Sequence, residues 1–162
     1  MGEPAGRTPR PAVERRTPPR ALVRLVNPVV RRLVEAGLGG GSLLVLHVRG
    51  RRSGRVYDVP VGYHLVDGVV TVLTDSRWRH NLSPSSEVEV TLRGVRAPWR
   101  ATVTEDPEQV LQVHDALADR RGPAAARRRL GLVVRVDRTP TRDELVDAVR
   151  RSGLVAVRLQ PA

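Results

Sequence analysis

Arginine and glycine alternate around a single serine in Arg49-Gly50-Arg51-Arg52-Ser53-Gly54-Arg55, the most informative stretch of the chain. Guanidinium groups present planar forks of donors that match phosphate oxygens. Glycines on both sides of a strand-to-strand turn let the backbone bend until successive N–H groups converge on one point, an anion-binding concavity. Ser53 adds a hydroxyl. The chemistry expected is capture of an anionic handle. The same pattern also suits an exposed basic turn that only solubilises the protein, and spacing alone leaves both readings open.

The other candidates are more dispersed. His47, His64, His80 and His114 show no metal-ligand spacing such as HxxxH, so a structural metal is not expected. His47 lies in an apolar run and reads as a core histidine with satisfied nitrogens. His80, beside Trp78 and Asn81, suits a pocket or its rim, and Asp75 suits either a contact to a ring N–H or substrate or the cap of a turn. Trp78 and Trp99 read as core or interface anchors, since a buried indole supplies a large contact area. Gly39, Gly40 and Gly41 lack the strand-before, helix-after setting of a dinucleotide fingerprint.

Composition narrows the partners. The chain has 162 residues, the usual length of one domain, with 40% hydrophobic and 28% charged residues, ordinary for a globular protein. The net charge is +11 and every basic residue is arginine, which together with abundant Ala, Gly, Pro and Val has the look of a GC-rich coding sequence. A surplus of this size still favours anionic partners: phosphorylated cofactors, nucleic acid or an acidic membrane surface. Nucleic acid is not expected, because two Trp, two Tyr and no Phe leave little for stacking on bases. No apolar run approaches the roughly 20 residues of a spanning helix. Residues 1–20 lack the apolar core of a signal peptide, and the absence of cysteine fits a reducing cytoplasm.

These residues need elements to position them. Residues 1–19 read as a disordered basic tail, with Pro4, Pro9, Pro11, Pro18 and Pro19 and no apolar periodicity, and residues 20–162 as a single domain. Apolar residues from Ala21 to Ala36 recur at helical spacing, with Pro28 as a kink or restart. This basic amphipathic helix packs on the barrel or docks on a membrane surface. Strands follow at Leu43–Val48, Val56–Val66 (Pro60 marking an edge or bulge), Val69–Thr74 after the hairpin signal Asp67-Gly68, through Val88, Val90 and Leu92, and at Trp99–Thr104. Five strands with short turns predict an antiparallel barrel or sandwich rather than βαβ units. The last third turns helical, from Asp106-Pro107-Glu108 to Arg120, over Ala124–Leu130, and from Thr141 to Arg151. Leu132–Val136 suits strand or helix, and Leu154–Leu159 a final strand.

The run from Leu44 to Tyr63, LVLHVRGRRSGRVYDVPVGY, followed by the Asp67-Gly68 hairpin and by Trp78-Arg79-His80-Asn81-Leu82, resembles the deazaflavin (F420)-dependent nitroreductase and quinone reductase family. Its members are split β-barrels related to the pyridoxamine-phosphate oxidase-like flavoproteins. Asn27-Pro28 with Arg31, Arg32 and Leu33 is similar to the helix before that barrel, so the likeness spans roughly Arg20 to Thr104. It implies an α+β split barrel of about six strands, usually a homodimer. It also implies that Gly50, Arg51, Arg52, Ser53 and Gly54 hold the phosphate end of coenzyme F420. Pro60, Val61 and Tyr63 would lie along the deazaflavin, Thr74, Asp75 and Ser76 near its ring, and Trp78 and Asn81 would close the pocket. The coenzyme carries the hydride chemistry and the protein orients it, so no side-chain nucleophile is expected. The implied activity is hydride transfer to a quinone, nitro or other electron-poor acceptor. FMN in place of F420 and a non-catalytic barrel for a cofactor or tetrapyrrole are the alternatives. Two departures stand out: only Asp75, Ser76 and Arg77 separate Thr74 from Trp78, where relatives carry a longer loop, and the C-terminal third has no tyrosine.

Overall fold

A computed structural model of the chain describes residues 11–16, 30–32, 36 and 42–162. The helix expected over Ala21–Ala36 falls largely outside the described residues; residues 30–32 are helical.

Seven strands form one antiparallel sheet: β2 (Leu43–Arg49), β3 (Val56–Gly62), β4 (His64–Val66), β5 (Val69–Thr74), β6 (Ser85–Leu92), β7 (Val95–Thr104) and β9 (Val155–Pro161), in the order β3-β2-β6-β7-β9-β5-β4. The two edge strands, β3 and β4, are successive in the chain with only Tyr63 between them. The sheet must therefore curl until its edges meet at that corner, which gives the half-barrel of an α+β split-barrel fold. The expected single strand Val56–Val66 is thus broken in two. The Tyr63 N–H donates to Ser42 O at 3.0 Å, one rung past the last register pair Leu43 with Gly62, and from His64 the chain pairs with β5 instead of β2. Pro60 lies on the edge strand β3, as expected of a residue without an N–H to give the ladder.

Period-two alternation decides what faces inward. Leu44, Leu46 and Val48 of β2, Val88 and Val90 of β6, and Val155, Val157 and Leu159 of β9 fill the barrel with Val70, Val72 and Ala101. Each fully buried side chain of this size contributes about 1.5–3 kcal/mol. Hairpins close the ladder: Asp67 and Gly68 both have positive φ (50° and 77°), as do Arg93 and Gly94 (51° and 81°), the backbone that suits two-residue turns between twisted strands.

A second core lies outside the barrel. Helices α1 (Pro107–Arg121), α2 (Pro123–Arg129) and α3 (Arg142–Ser152) bring Val110, Leu111, Val146 and Val149 onto the outward face of β9 and β5, where the cross-strand pair Ala156 and Leu73 points away from the barrel interior. Asp106 caps α1 by accepting from the Glu108 N–H, and Gly153 ends α3 with φ 63°. A two-stranded ribbon, β1 (Val13–Arg15) with β8 (Leu132–Val134), completes this layer. It corrects the reading of residues 1–19 as a tail, for those three residues at least: Val13 is 1% exposed in the second core. Leu132–Val136, open between strand and helix, is strand over its first three residues.

Candidate functional site

The basic turn joins β2 to β3 beyond their last register pair, Arg49 with Val56. Gly50 N donates to Arg55 O and Gly54 N to Gly50 O, both at 2.8 Å, and Arg49 Nη1 reaches Gly54 O at 3.1 Å. Gly54 has φ 64°, and a Cβ on Gly50 would stand 2.7 Å from Ser53 Oγ and 3.0 Å from the Tyr57 ring. Gly54 is thus required by the turn's backbone, and at Gly50 a side chain would displace Ser53 and Tyr57. Ser53 Oγ accepts from the Arg55 N–H at 3.3 Å and lies 3.3 Å from the Tyr57 hydroxyl. The expected cradle of converging amides is therefore only partly available. The amides of Gly50, Arg51, Gly54 and Arg55 are engaged, whereas those of Arg52 and Ser53 have no hydrogen-bond partner among the described residues.

The wall facing the turn is a 3-10 helix, Arg77–Asn81. Asn81 Oδ1 accepts from the Arg51 N–H at 3.1 Å, and the Arg51 guanidinium donates to Ser83 O. Arg51 and Asn81, both expected to touch a ligand, clamp turn to helix. Arg79 ties the helix to the body of the protein through Asp75 O (3.1 Å) and Gly153 O (3.2 Å). Half-buried Trp78 packs against the barrel core. Between turn and helix runs an open groove of roughly 750 Å³.

Gly50, Arg51, Arg52, Ser53, Trp78 and Asn81 line that groove, so six of the expected site residues are brought together. Tyr57 and Arg77 join them without having been singled out, and so does His80, read earlier as a pocket or rim residue. The signal for Tyr57 was its place two residues into the strand leaving the turn; for Arg77 it was adjacency to Trp78. No carboxylate lines the groove, and the Arg52 and Arg77 guanidinium groups have no partner among the described residues.

The other expected residues lie elsewhere. Tyr63 is 6% exposed inside the barrel core, where Val61 packs against it, and Pro60 is half-buried on β3. Thr74 is buried, with Oγ1 accepting from the Ser76 N–H at 3.0 Å, and Asp75 is ion-paired with Arg15. None of these, nor Gly54, lines the turn groove. Gly62, His64 and Leu73, their chain neighbours, open instead onto a separate pocket of about 440 Å³. Pro60–Tyr63 and Thr74–Ser76, expected beside the ring of the coenzyme, lie away from the turn expected to hold its phosphate end: the five residues from Tyr57 to Gly62 cover about 17 Å.

His47 satisfies both ring nitrogens, Nδ1 with Asp58 Oδ1 at 2.7 Å and Nε2 with Thr91 Oγ1 at 2.8 Å, while Asp58 Oδ2 accepts from Arg31 at 3.0 Å. It is the core histidine the apolar run predicts. Among the described residues no group of three or more His, Asp or Glu side chains is placed to hold a metal.

Against known proteins, a family model described as F420H(2)-dependent quinone reductase matches residues 20–136. No curated protein matches the chain. Among solved structures, the conserved hypothetical protein Rv2991 from Mycobacterium tuberculosis is 17% identical over 83% of this chain and 79% of its own, with a TM-score of 0.46. HutZ, the heme storage protein from Vibrio cholerae, is 16% identical over 83% of this chain and 89% of its own, with a TM-score of 0.41.

Proposed function

The chain belongs to the F420H(2)-dependent quinone reductase family, and from that premise we propose that it binds coenzyme F420 by its phosphate-bearing end at the Gly50–Gly54 turn and reduces a quinone, nitro or other electron-poor acceptor. The observation that carries the reading is the groove itself: among the described residues Arg52 and Arg77 face it without partners, and no carboxylate lines it to compete with an incoming anion. Charge-assisted bonds from guanidinium to phosphate are the strong class of hydrogen bond. The residues present fit such a handle. Arg52, Arg77 and the Arg52 and Ser53 amides would hold it, while Arg51 and Asn81 keep the turn at the right distance from the 3-10 helix. Trp78 closes one side with an apolar surface that excludes water from part of the groove.

When bound, the reduced deazaflavin supplies the hydride. The work of this chain is then binding and orientation, and no side-chain nucleophile or metal enters. Titration of purified protein with F420 tests the reading: deazaflavin fluorescence changes saturably on binding, and reduced F420 is reoxidised in the presence of a quinone. Absence of any fluorescence change, with FMN bound in a parallel titration, would replace the coenzyme in this reading. Binding of neither would remove it.

A further inference from the structure

We propose that Arg79 is the positioning residue of the turn groove: it fixes the wall that Arg77 and Trp78 present to the coenzyme without touching the ligand itself. The inference rests on the reading of that groove as the phosphate site. Within the 3-10 helix, Arg77, Trp78, His80 and Asn81 line the groove, and Arg79 alone does not. The helix has little of its own to hold it. A 3-10 turn has poorer hydrogen-bond geometry than an α-helix. Ser76 gives this one no side-chain cap, its first turn carries no acidic residue, and none of its residues is fully buried. Its Arg79 N–H reaches Ser76 O only at 3.3 Å, a long bond.

Tertiary ties must therefore hold the helix. Trp78 packs on the barrel core and Asn81 bonds the turn, and both belong to the groove lining. Arg79 works from outside it: a single nitrogen, Nη1, donates to Asp75 O at 3.1 Å and to Gly153 O at 3.2 Å. Asp75 lies between β5 and the 3-10 helix and is itself ion-paired with Arg15 of β1. Gly153 is the left-handed C-cap of α3, and the last carbonyls of a helix favour a cation. Arg79 thus pins the helix at two points that belong to different elements. The spacing between Arg77 on the helix and Arg52 on the turn, which an anion has to bridge, depends on that anchorage. Arg79 Nε is buried and bonds nothing among the described residues, so both ties run through the one terminal nitrogen. A lysine ammonium, with three donors on one nitrogen, can supply the same pair.

The test compares Arg79→Met, which keeps the apolar stem and removes the donors, with Arg79→Lys in the full chain. Arg79→Met is expected to weaken F420 binding about tenfold, although the residue lies outside the groove, and Arg79→Lys to restore most of the affinity. A second readout needs no ligand. The chain has two tryptophans, so in a Trp99→Phe background the emission of Trp78 reports on the helix. Arg79→Met should shift that emission to the red and raise its quenching by acrylamide, and Arg79→Lys should do neither. Unchanged F420 affinity in Arg79→Met, whatever its melting temperature, overturns the proposal, as does an unchanged Trp78 signal. So does a loss of affinity that disappears at about 1 M sodium chloride, where charges are screened beyond about 3 Å, since Arg79 would then act only as a remote charge. If the wild type itself fails to bind F420, the coenzyme reading falls, while the Trp78 signal still decides whether Arg79 holds the wall.

Discussion

Arg51 and Arg52 are neighbours in sequence with opposite duties. Arg51 is held through its own N–H by Asn81 and through its guanidinium by Ser83 O, whereas Arg52 is held by nothing among the described residues. Arg52→Glu is therefore expected to weaken F420 binding about ten- to a hundredfold, the worth of one charge-assisted hydrogen bond, with the melting temperature unchanged. Fluorescence titration and a thermal melt on the same sample check the two halves of that statement. Asn81→Ala acts through another route. It leaves the Arg51 N–H without its acceptor and frees the turn from the 3-10 helix, so stability should fall by about 0.5–1.5 kcal/mol and coenzyme affinity should fall with it. A variant that lost affinity with no loss of stability would show that Asn81 contacts the ligand directly.

Among the elements, α3 shows how a local signal becomes a pH response. Thr141 Oγ1 accepts from the Glu144 N–H while the Glu144 carboxylate accepts from the Thr141 N–H at 2.9 Å, a reciprocal capping box. Arg138 donates to both Glu144 oxygens, at 2.8 and 2.6 Å. The hydrogen bonds from Arg138, followed by that from the Thr141 backbone, hold the Glu144 carboxyl down from 4.5 to about 2. A carboxylate whose pKa is depressed by folding stabilises the fold fully above its unfolded pKa and loses that contribution as pH falls through the folded one. The melting-temperature gap between the wild type and Glu144→Gln should thus be widest above pH 4.5 and close as the pH approaches 2. Thr141→Ala, which removes an uncharged cap, should cost about 1 kcal/mol with a weaker pH dependence, since the Thr141 side chain is the smallest of the influences that lower the Glu144 pKa.

For the molecule as a whole the governing quantity is charge. A net +11 sets a positive field around both pockets, and neither is lined by a carboxylate among the described residues. Attraction between exposed charges is screened within about 10 Å at 0.1 M salt, so F420 affinity should decline steadily as sodium chloride is raised. The same titration at several salt concentrations measures this. A salt-independent affinity would mean that the apolar surface of Trp78, rather than the arginines, holds the coenzyme. The basic surplus does not decide location: among the described residues no helix is long and apolar enough to cross a membrane.

Much of the architecture was legible because it is locally encoded. The alternation of Val88, Val90 and Leu92, the Asp67-Gly68 hairpin and the Asp106 and Thr141 caps each declare a conformation within a few residues, and each formed as read; the glycine-bounded basic turn formed where expected, with only part of its amide cradle open. Such patterns work because periodicity and capping are satisfied by neighbours along the chain. What only the tertiary structure decided are the contacts between distant segments. Arg51 meets Asn81, Arg15 meets Asp75, and Val13–Arg15 pairs with Leu132–Val134 across most of the chain. Those meetings depend on how far the sheet curls before its edge strands join at Tyr63, a sum of small twists over seven strands that no short stretch of sequence displays. That curl buried Tyr63 in the barrel and gave the turn groove and the second pocket separate linings, each with its own arginines.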